Sequence, residues 1–221
     1  MITHAMEDYL KIIFKLEEEG STVTTQSIAE RLEVQSPSVT NMVKRLADLN
    51  LVKHRPYRGV LLTDMGRKAA LEVIRHHRLL ELYLADALGY SWDKVHEEAD
   101  RLEHSISEEF EARIDRALGF PSVDPHGEPI PTVEGEIAAA AGTRLTELDE
   151  GDEAVVELVS DTDPEKLRYL GDLGLYPAAD ITMVEQMPFE GPVRIRVAED
   201  EHVLGRDLAE TIRVRRSKQG T

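Results

Sequence analysis

The spacing of apolar residues changes along this chain, and that change constrains the fold more than any other feature. As far as about residue 117, apolar side chains recur every three or four residues, which is typical of amphipathic helices. Residues 118–135 contain four prolines, which exclude a regular helix or strand there. From about residue 148, short apolar runs separated by turn residues are typical of β-strands: AVVELV, ITMVEQM, PVRIRV and TIRVRR. The sequence therefore predicts a mainly α protein with a β-rich tail that forms a small β-barrel.

The first part of the chain has the element order of a winged helix-turn-helix. Helical periodicity predicts helices over 4–18 and 25–32 and a third helix that begins near Ser36, with Pro37 in its first turn. The segment LVKHRPYRGVLLT then combines two short apolar strands with a basic turn. Helix, turn, helix and basic hairpin in this order predict a DNA-binding domain. Two long helices, over 64–86 and 92–117, are predicted to follow.

Charge is distributed unevenly along the chain. The formal net charge of −17 is unfavourable for binding DNA, which requires cations that displace counterions. Residues 21–68, however, carry eight Lys and Arg against four acids, and residues 69–221 carry sixteen against thirty-four. The basic block therefore coincides with the winged-helix pattern, and the predicted partner of this segment is double-stranded DNA.

Composition excludes several other classes of protein. Hydrophobic content of 41% and charged content of 31% are those of an ordinary globular protein. No run reaches the roughly 18 apolar residues of a membrane span, and the charged N-terminus does not resemble a signal peptide, so we expect a cytoplasmic protein with no membrane partner. The sequence has no cysteine. Any metal ion must therefore be bound by oxygen and imidazole ligands.

The predicted recognition helix and wing offer polar and basic side chains to DNA. Small polar groups near the start of the helix suit base edges, with Asn41 able to address an adenine, and cations further along suit phosphates. The predicted DNA-binding residues are Gln35, Ser36, Pro37, Ser38, Thr40, Asn41, Lys44, Arg45, Arg55, Tyr57 and Arg58. The alternatives are a winged helix that contacts another protein, or charges that only keep the surface soluble.

Residues 96–104, HEEADRLEH, concentrate metal-ligating side chains. If this segment is helical, Asp100, Glu103 and His104 share one face, and His96 lies one turn earlier. His77 and Glu81 have the same spacing on the preceding helix. Carboxylates gathered in this way repel one another unless a cation is present, which favours a metal site. The alternative is a solvated acidic helix face.

These residues resemble the diphtheria-toxin-repressor family of metalloregulators, which includes iron-dependent repressors and manganese transport regulators. The matching stretches are DYLKIIFKLEEEG, SIAERLEVQSPSVTNMVKRL, YRGVLLTDMGRKAA, HHRLLE, KVHEEADRLEHSISEE and PHGEPIP. The tail is similar to the SH3-like domain of the longer members. The resemblance implies a winged-helix DNA-binding domain over 1–70, a helical dimerisation and metal-binding domain over 71–136, a linker over 137–147 and an SH3-like domain over 148–217.

The resemblance also implies particular ligands. A main metal site would use Asp8, Asp100, Glu103 and His104, and His77, Glu81 and His96 match ligands of one branch or another. A second site would combine Glu81, Asp124 and His126 with an acid of the tail, Asp161 or Asp163. Pro37, Ser38 and Asn41 match DNA-contacting positions. The expected function is a homodimeric repressor of metal uptake that binds a palindromic operator when its metal is bound.

Departures from the family pattern bear on the metal. Iron-responsive members have Met and Cys where this chain has Asp8 and Asp100, so its harder ligand set favours Mn(II), with Fe(II) second. Lys11 replaces a Glu of the short manganese regulators and argues against their closely spaced pair of metals. The alternatives are an iron(II)-dependent repressor and a metal-independent winged-helix regulator with a protein partner. A metal-dependent hydrolase is not favoured, because the sequence has no recognised hydrolase motif and we expect no enzyme activity.

Overall fold

The computed structural model of the protein describes residues 2–20, 22–55, 59–160 and 163–217. These residues divide into two compact units. The first unit comprises residues 1–77, 102–107 and 131–137, and the second comprises 78–101, 108–130 and 138–221, each within the described ranges. The domain boundaries predicted from the sequence stay a prediction.

The first unit contains the predicted helix-turn-helix and wing. It has α1 (His4–Glu18), α2 (Thr25–Arg31) and α3 (Ser36–Asp48), followed by strands β1 (Val52–Arg55) and β2 (Gly59–Leu62). The apolar side chains at helical spacing form one core, as predicted; its fully buried members include Leu10, Ile13, Ile28, Val39 and Leu46. Burial of these faces is the main favourable contribution to folding of this unit.

The wing is fixed by a close approach of two backbone segments. β1 and β2 pair antiparallel, with Val52 opposite Leu62. Gly59 has φ +73°, and a Cβ placed there would lie 2.0 Å from the carbonyl oxygen of Val23. The amide of Val60 donates to that same carbonyl at 2.9 Å. Position 59 therefore requires glycine for its conformation and for the space beside Val23.

The helical region after the wing differs from the prediction in one respect. α4 (Asp64–Asp86) has the predicted bounds, but the second predicted long helix is two helices, α5 (Val95–Leu102) and α6 (Glu108–Ala117). Two serines lie in the break, and serine side chains compete for backbone hydrogen bonds and disfavour the helix interior. α6 then begins with acids in its first turn, which suits the positive end of a new helix dipole. The prediction of one continuous helix over 92–117 was wrong.

The second unit contains a six-stranded antiparallel sheet in the order β3-β8-β4-β5-β6-β7. Its strands are β3 (Thr143–Arg144), β4 (Glu153–Val159), β5 (Asp180–Gln186), β6 (Val193–Val197), β7 (Asp200–Leu204) and β8 (Ile212–Arg216). Two helices, α7 (Pro164–Asp172) and α8 (Arg206–Ala209), interrupt them. The predicted fold, a β-rich tail with an SH3-like barrel, is confirmed.

Four elements of the described tail were not predicted from the sequence, and one of them is a 3-10 helix at Leu145–Glu147. β3 has two residues, α8 has four, and β7 reads DEHVL, with Leu204 as its buried residue. A short or largely exposed element carries too little periodicity to be recognised from its sequence.

Among the described residues, no helix combines the length and the apolar character that crossing a bilayer requires.

Candidate metal centre and DNA-binding surface

The predicted recognition helix presents its polar residues outward. α3 buries Val39, Val43 and Leu46 against the core of the first unit. The predicted DNA-binding side chains of this region are all exposed: Gln35, Ser36, Pro37, Ser38, Thr40, Asn41, Lys44 and Arg45. Helical periodicity therefore separates a packing face from a face that is available to a partner.

The wing adds cations to the same unit. Lys53, His54 and Arg55 are exposed on β1. The remaining predicted wing contacts, Tyr57 and Arg58, lie outside the described residues. Exposed cations on a hairpin next to a helix with an exposed polar face are typical of a winged-helix surface for DNA.

A first group of metal-ligating atoms lies within the first unit. One donor atom each from Asp8, Glu103 and His104 lie within 4.8 Å of one another. The Nε2 atom of His104 is 2.8 Å from Asp8 Oδ1 and 3.4 Å from Glu103 Oε1. Two carboxylate oxygens and one imidazole nitrogen at such distances are a suitable donor set for a divalent cation.

The end of α5 positions two of these ligands. α5 ends at Leu102, and Glu103 and His104 occupy the turn that follows, so the prediction that they share a helix face with Asp100 was wrong. His76 Nδ1 lies 3.0 Å from the backbone oxygen of Glu103 and ties this turn to α4. This turn directs the side chains of Glu103 and His104 towards Asp8.

Glu7 is a neighbour of this group that the sequence pattern did not reveal. Its Oε2 atom lies 2.7 Å from His104 Nδ1, whereas Asp8 contacts the other ring nitrogen, Nε2. The ring of His4 stacks on His104 with a centroid distance of 5.0 Å. The imidazole is thus held by a carboxylate and by a stacked ring. The sequence does place Glu7 next to Asp8. Adjacent residues of a helix do not usually face the same partner, so this position alone did not predict a contact between Glu7 and His104.

Glu103 is the most buried member of the group, with 2% of its side chain exposed. It accepts hydrogen bonds from Lys11 Nζ at 2.9 and 2.8 Å, and its Oε2 atom is 2.5 Å from His77 Nδ1. Burial raises the pKa of Glu103, but the hydrogen bond from His77 and the charge of Lys11 outweigh it and hold the pKa below its usual value. Glu103 is therefore kept as a carboxylate.

A second group lies within the second unit. Donor atoms of Glu81, Asp124 and His126, all buried, lie within 4.8 Å of one another. His126 Nδ1 is 3.8 Å from Glu81 Oε2 and 4.0 Å from Asp124 Oδ1. His96 Nδ1 is 2.9 Å from Glu81 Oε1, so His96 adjoins the same carboxylate.

The loop that carries Asp124 and His126 is tightly structured. Asp124 Oδ1 accepts from the backbone amides of His126 and Glu128, at 2.8 and 3.0 Å. His126 Nε2 donates to the carbonyl oxygen of Trp92 at 2.8 Å. Because a carbonyl can only accept, this bond places the proton on Nε2 and directs Nδ1 towards the two carboxylates. That tautomer is the one a metal ligand requires.

The two carboxyl groups of the second group are buried side by side and affect each other's ionisation. Burial and the neighbouring Glu81 raise the pKa of Asp124 to about 7. The neighbouring His126 and Arg78 oppose this rise in the pKa of Asp124. The Nε atom of Arg78 is 3.8 Å from Asp124 Oδ2, and its guanidinium is paired with Glu128. A carboxyl group whose charged form is disfavoured by a second buried carboxylate gains from a cation between them.

The other predicted ligands lie as follows. Asp100 is on α5, with Oδ2 3.7 Å from His96 Nε2. Asp163 is the N-cap of α7, where Oδ1 accepts from the amide of Glu165 at 2.9 Å. Asp161 lies outside the described residues. The two groups consist of oxygen and imidazole donors, so both fit a hard or borderline divalent ion.

Comparison with known proteins gives the family. Residues 1–60 match the profile "Iron dependent repressor, N-terminal DNA binding domain", residues 63–132 match "Iron dependent repressor, metal binding and dimerisation domain", and residues 143–216 match the FeoA domain. The iron-dependent repressor IdeR of Mycobacterium leprae is 38% identical over 94% of this chain and 95% of its own. The diphtheria toxin repressor of Corynebacterium glutamicum is 35% identical, over 94% of each chain.

Solved structures agree with these relatives. A manganese-dependent transcriptional repressor in complex with manganese has a TM-score of 0.87 and is 38% identical, covering 95% of this chain and 98% of its own. The predicted resemblance is confirmed. The chain belongs to the iron-dependent, or diphtheria-toxin, repressor family of metal-dependent DNA-binding transcriptional repressors, which are not enzymes.

Proposed function

We propose that this repressor is activated by Mn(II), binds a palindromic operator as a homodimer, and represses metal uptake. The observation that carries this proposal is the convergence of Asp8, Glu103 and His104 on one point. Asp8 is on the first helix of the winged-helix unit, whereas Glu103 and His104 follow a helix that belongs to the region matched by the metal-binding and dimerisation profile. Asp100, which the family resemblance adds to this set, stays a prediction.

A divalent ion at this point would be held by the carboxylates of Asp8 and Glu103 and by the imidazole of His104, and would link α1 to the turn after α5. Glu103 and His104 would then be held against α1 more firmly than hydrogen bonds alone hold them. In a dimer, fixing α1 also fixes α3. The two α3 helices would bind the two half-sites of the operator, which lie about one DNA turn apart. Ordering that spacing before DNA is bound lowers the entropic cost of binding and raises affinity for the operator.

The choice of Mn(II) rests on the donor set. Mn(II) suits carboxylate ligands, whereas sulfur ligands favour softer ions, and this chain has no cysteine. The names of the relatives include both iron and manganese. Fe(II) is therefore the second candidate, and both ions are compared in the experiment below.

The group of Glu81, Asp124 and His126 is proposed as a second metal site. Its support is the Nδ1 atom of His126, which faces both carboxylates while Nε2 is engaged by Trp92. His96 and one acid of the tail, Asp161 or Asp163, are the further ligands proposed for it. Since the loop of Asp124 and His126 packs on β4, an ion there would also stabilise the tail.

A DNA-binding assay with controlled metal tests this function. A duplex is first selected from a random library in the presence of Mn(II), and its affinity is then measured in Mn(II), in anaerobic Fe(II) and in excess chelator. We expect tight binding in Mn(II) and its loss in chelator. Asp8→Ala and Glu103→Ala should abolish the effect of metal, because each removes a charged ligand.

A matched control removes a carboxylate elsewhere in the same unit. Glu134 is exposed, so Glu134→Ala loses the same charge without touching either group and should behave like the wild-type protein. Equal affinity for the duplex in chelator and in Mn(II) would contradict metal activation. Stronger activation by Fe(II) at equal free concentration would assign the protein to the iron-responsive branch.

A further inference from the structure

Lys11 is a buried cation beside the first metal group. It lies on α1, one turn after Asp8, and is 7% exposed. Burying an ammonium group is unfavourable unless charged and polar partners compensate for the lost water. The partners of Lys11 include both oxygens of Glu103, at 2.9 and 2.8 Å.

The pairing of Lys11 uses the oxygen that a metal ion would need. Glu103 Oε1 is 3.4 Å from His104 Nε2 and therefore faces the first group, yet the same atom accepts from Lys11 Nζ. Glu103 Oε2 is shared between Lys11 and His77. Neither oxygen of Glu103 is without a donor, and one positive charge already neutralises the carboxylate.

We propose that Lys11 is a built-in competitor for the metal ion, which holds Glu103 in the metal-free protein and lowers the metal affinity of the first site. This inference rests on the proposed function, because it assigns a regulator to that same site. A divalent ion at Asp8, Glu103 and His104 shares Glu103 with an ammonium group that repels it. The affinity of the site is thus set partly by a residue that is not a ligand.

The competition also maintains the metal-free protein. Removing the partner of a buried charge leaves the other charge uncompensated, which is strongly destabilising. With Lys11 in place, Glu103 stays neutralised when metal is scarce. Lys11 therefore lowers the affinity for metal and stabilises the metal-free protein, which suits a sensor that must release its ion.

Calorimetric titration of the full chain with Mn(II) tests this role. Lys11→Met keeps most of the apolar stem but removes the charge. We expect the first site of this variant to bind Mn(II) roughly tenfold or more tightly than the first site of the wild-type protein. The reason is that the repulsion between the Lys11 ammonium and the metal ion is lost. In chelator the variant should melt at a lower temperature than the wild type, and saturating Mn(II) should raise its melting temperature by more. Unchanged or weaker Mn(II) binding would overturn the proposal.

Controls separate this inference from the proposed function. Lys68→Met removes the same charge at an exposed position of the first unit and should leave the affinity unchanged. If Lys11→Met does not fold, Lys11→Gln keeps a donor without the charge and should also bind Mn(II) more tightly; failure to do so overturns the proposal. A wild-type protein that binds Mn(II) no better than Asp8→Ala would refute the proposed site. If Asp8→Ala weakens Mn(II) binding as expected but the Lys11 variants bind Mn(II) as the wild-type protein does, only the proposed competition is refuted.

Discussion

Two consecutive residues of α1 contact the two ring nitrogens of His104. Asp8 Oδ1 is 2.8 Å from Nε2, and Glu7 Oε2 is 2.7 Å from Nδ1. With a metal ion on the Nε2 side, Nδ1 must carry the proton and donate it to Glu7. A carboxylate in that position fixes the tautomer and the orientation of a metal-binding histidine and makes it a stronger ligand. Glu7 is in this sense a positioning residue for His104.

Substitution of Glu7 tests that role. Glu7→Ala should weaken Mn(II) binding at the first site by about 10–100-fold, the usual effect of removing such a partner. Glu7→Gln keeps an oxygen that can accept from Nδ1 and should cost less. Glu18→Ala on the same helix removes a carboxylate that is 54% exposed and paired with Arg67, and should leave binding unchanged. The affinities are measured by calorimetry, and a wild-type value for Glu7→Ala would contradict the role.

At the scale of elements, the second group depends on how one loop packs against one strand. The backbone oxygen of His126 accepts from the amide of Val159 at 2.9 Å, which joins the loop to the end of β4. Gly127 has φ +88°, and a Cβ there would lie 2.0 Å from the carbonyl oxygen of Glu157. The loop therefore lies flat on β4 because residue 127 has no side chain. The side chain of His126 is directed by this contact as well as by its bond to Trp92.

Gly127→Ala should disrupt this packing. The new methyl group collides with β4 and also occupies a left-handed conformation, so we expect a loss of about 2–3 kcal/mol in unfolding free energy, measured by urea titration in chelator. Gly151 provides the control, since it has the same φ of +88° but no atom within 4 Å of an added Cβ. Gly151→Ala should cost about 1 kcal/mol from its backbone alone.

Metal binding distinguishes the two glycine variants further. Gly127→Ala should weaken Mn(II) binding at the group of Glu81, Asp124 and His126, whereas Gly151→Ala should not. Equal loss of stability in both variants, with unchanged metal binding, would show that packing of the loop on β4 does not position His126.

At the scale of the whole molecule, charge and coupling act together. The chain carries a formal net charge of −17, yet its exposed cations on α3 and β1 lie in the unit that also holds Asp8, Glu103 and His104. An acidic protein with a small basic surface binds DNA weakly without further help, since few counterions are displaced. If metal binding orders the two DNA-binding units of a dimer, this small basic surface becomes sufficient for tight binding to the operator.

Coupling between metal and operator must be reciprocal if metal activates binding. The factor by which saturating Mn(II) raises affinity for the selected duplex should equal the factor by which that duplex raises affinity for Mn(II). Both factors are measured by titration, in the four combinations of metal and DNA, at one salt concentration. An affinity for Mn(II) that is the same with and without duplex would contradict activation by metal.

The sequence by itself determined the order of the elements and the identity of most candidate ligands. Periodicity located α1–α4, and the position of polar residues between Val39, Val43 and Leu46 already separated the exposed face of α3 from its core face. These properties are local, since they depend on neighbours along one helix or strand. The absence of cysteine is likewise a property of the sequence alone, and it excludes thiolate ligands whatever the fold.

Tertiary structure alone decided which of these side chains meet and what surrounds them. The break after Leu102 moved Glu103 and His104 off the helix face that spacing had predicted. Glu7 and Lys11 gained their roles from contacts with residues more than ninety positions away in the sequence. Such contacts, and the burial that makes Lys11 costly to place and Asp124 difficult to ionise, depend on how distant segments pack. Periodicity along one segment carries no record of that packing.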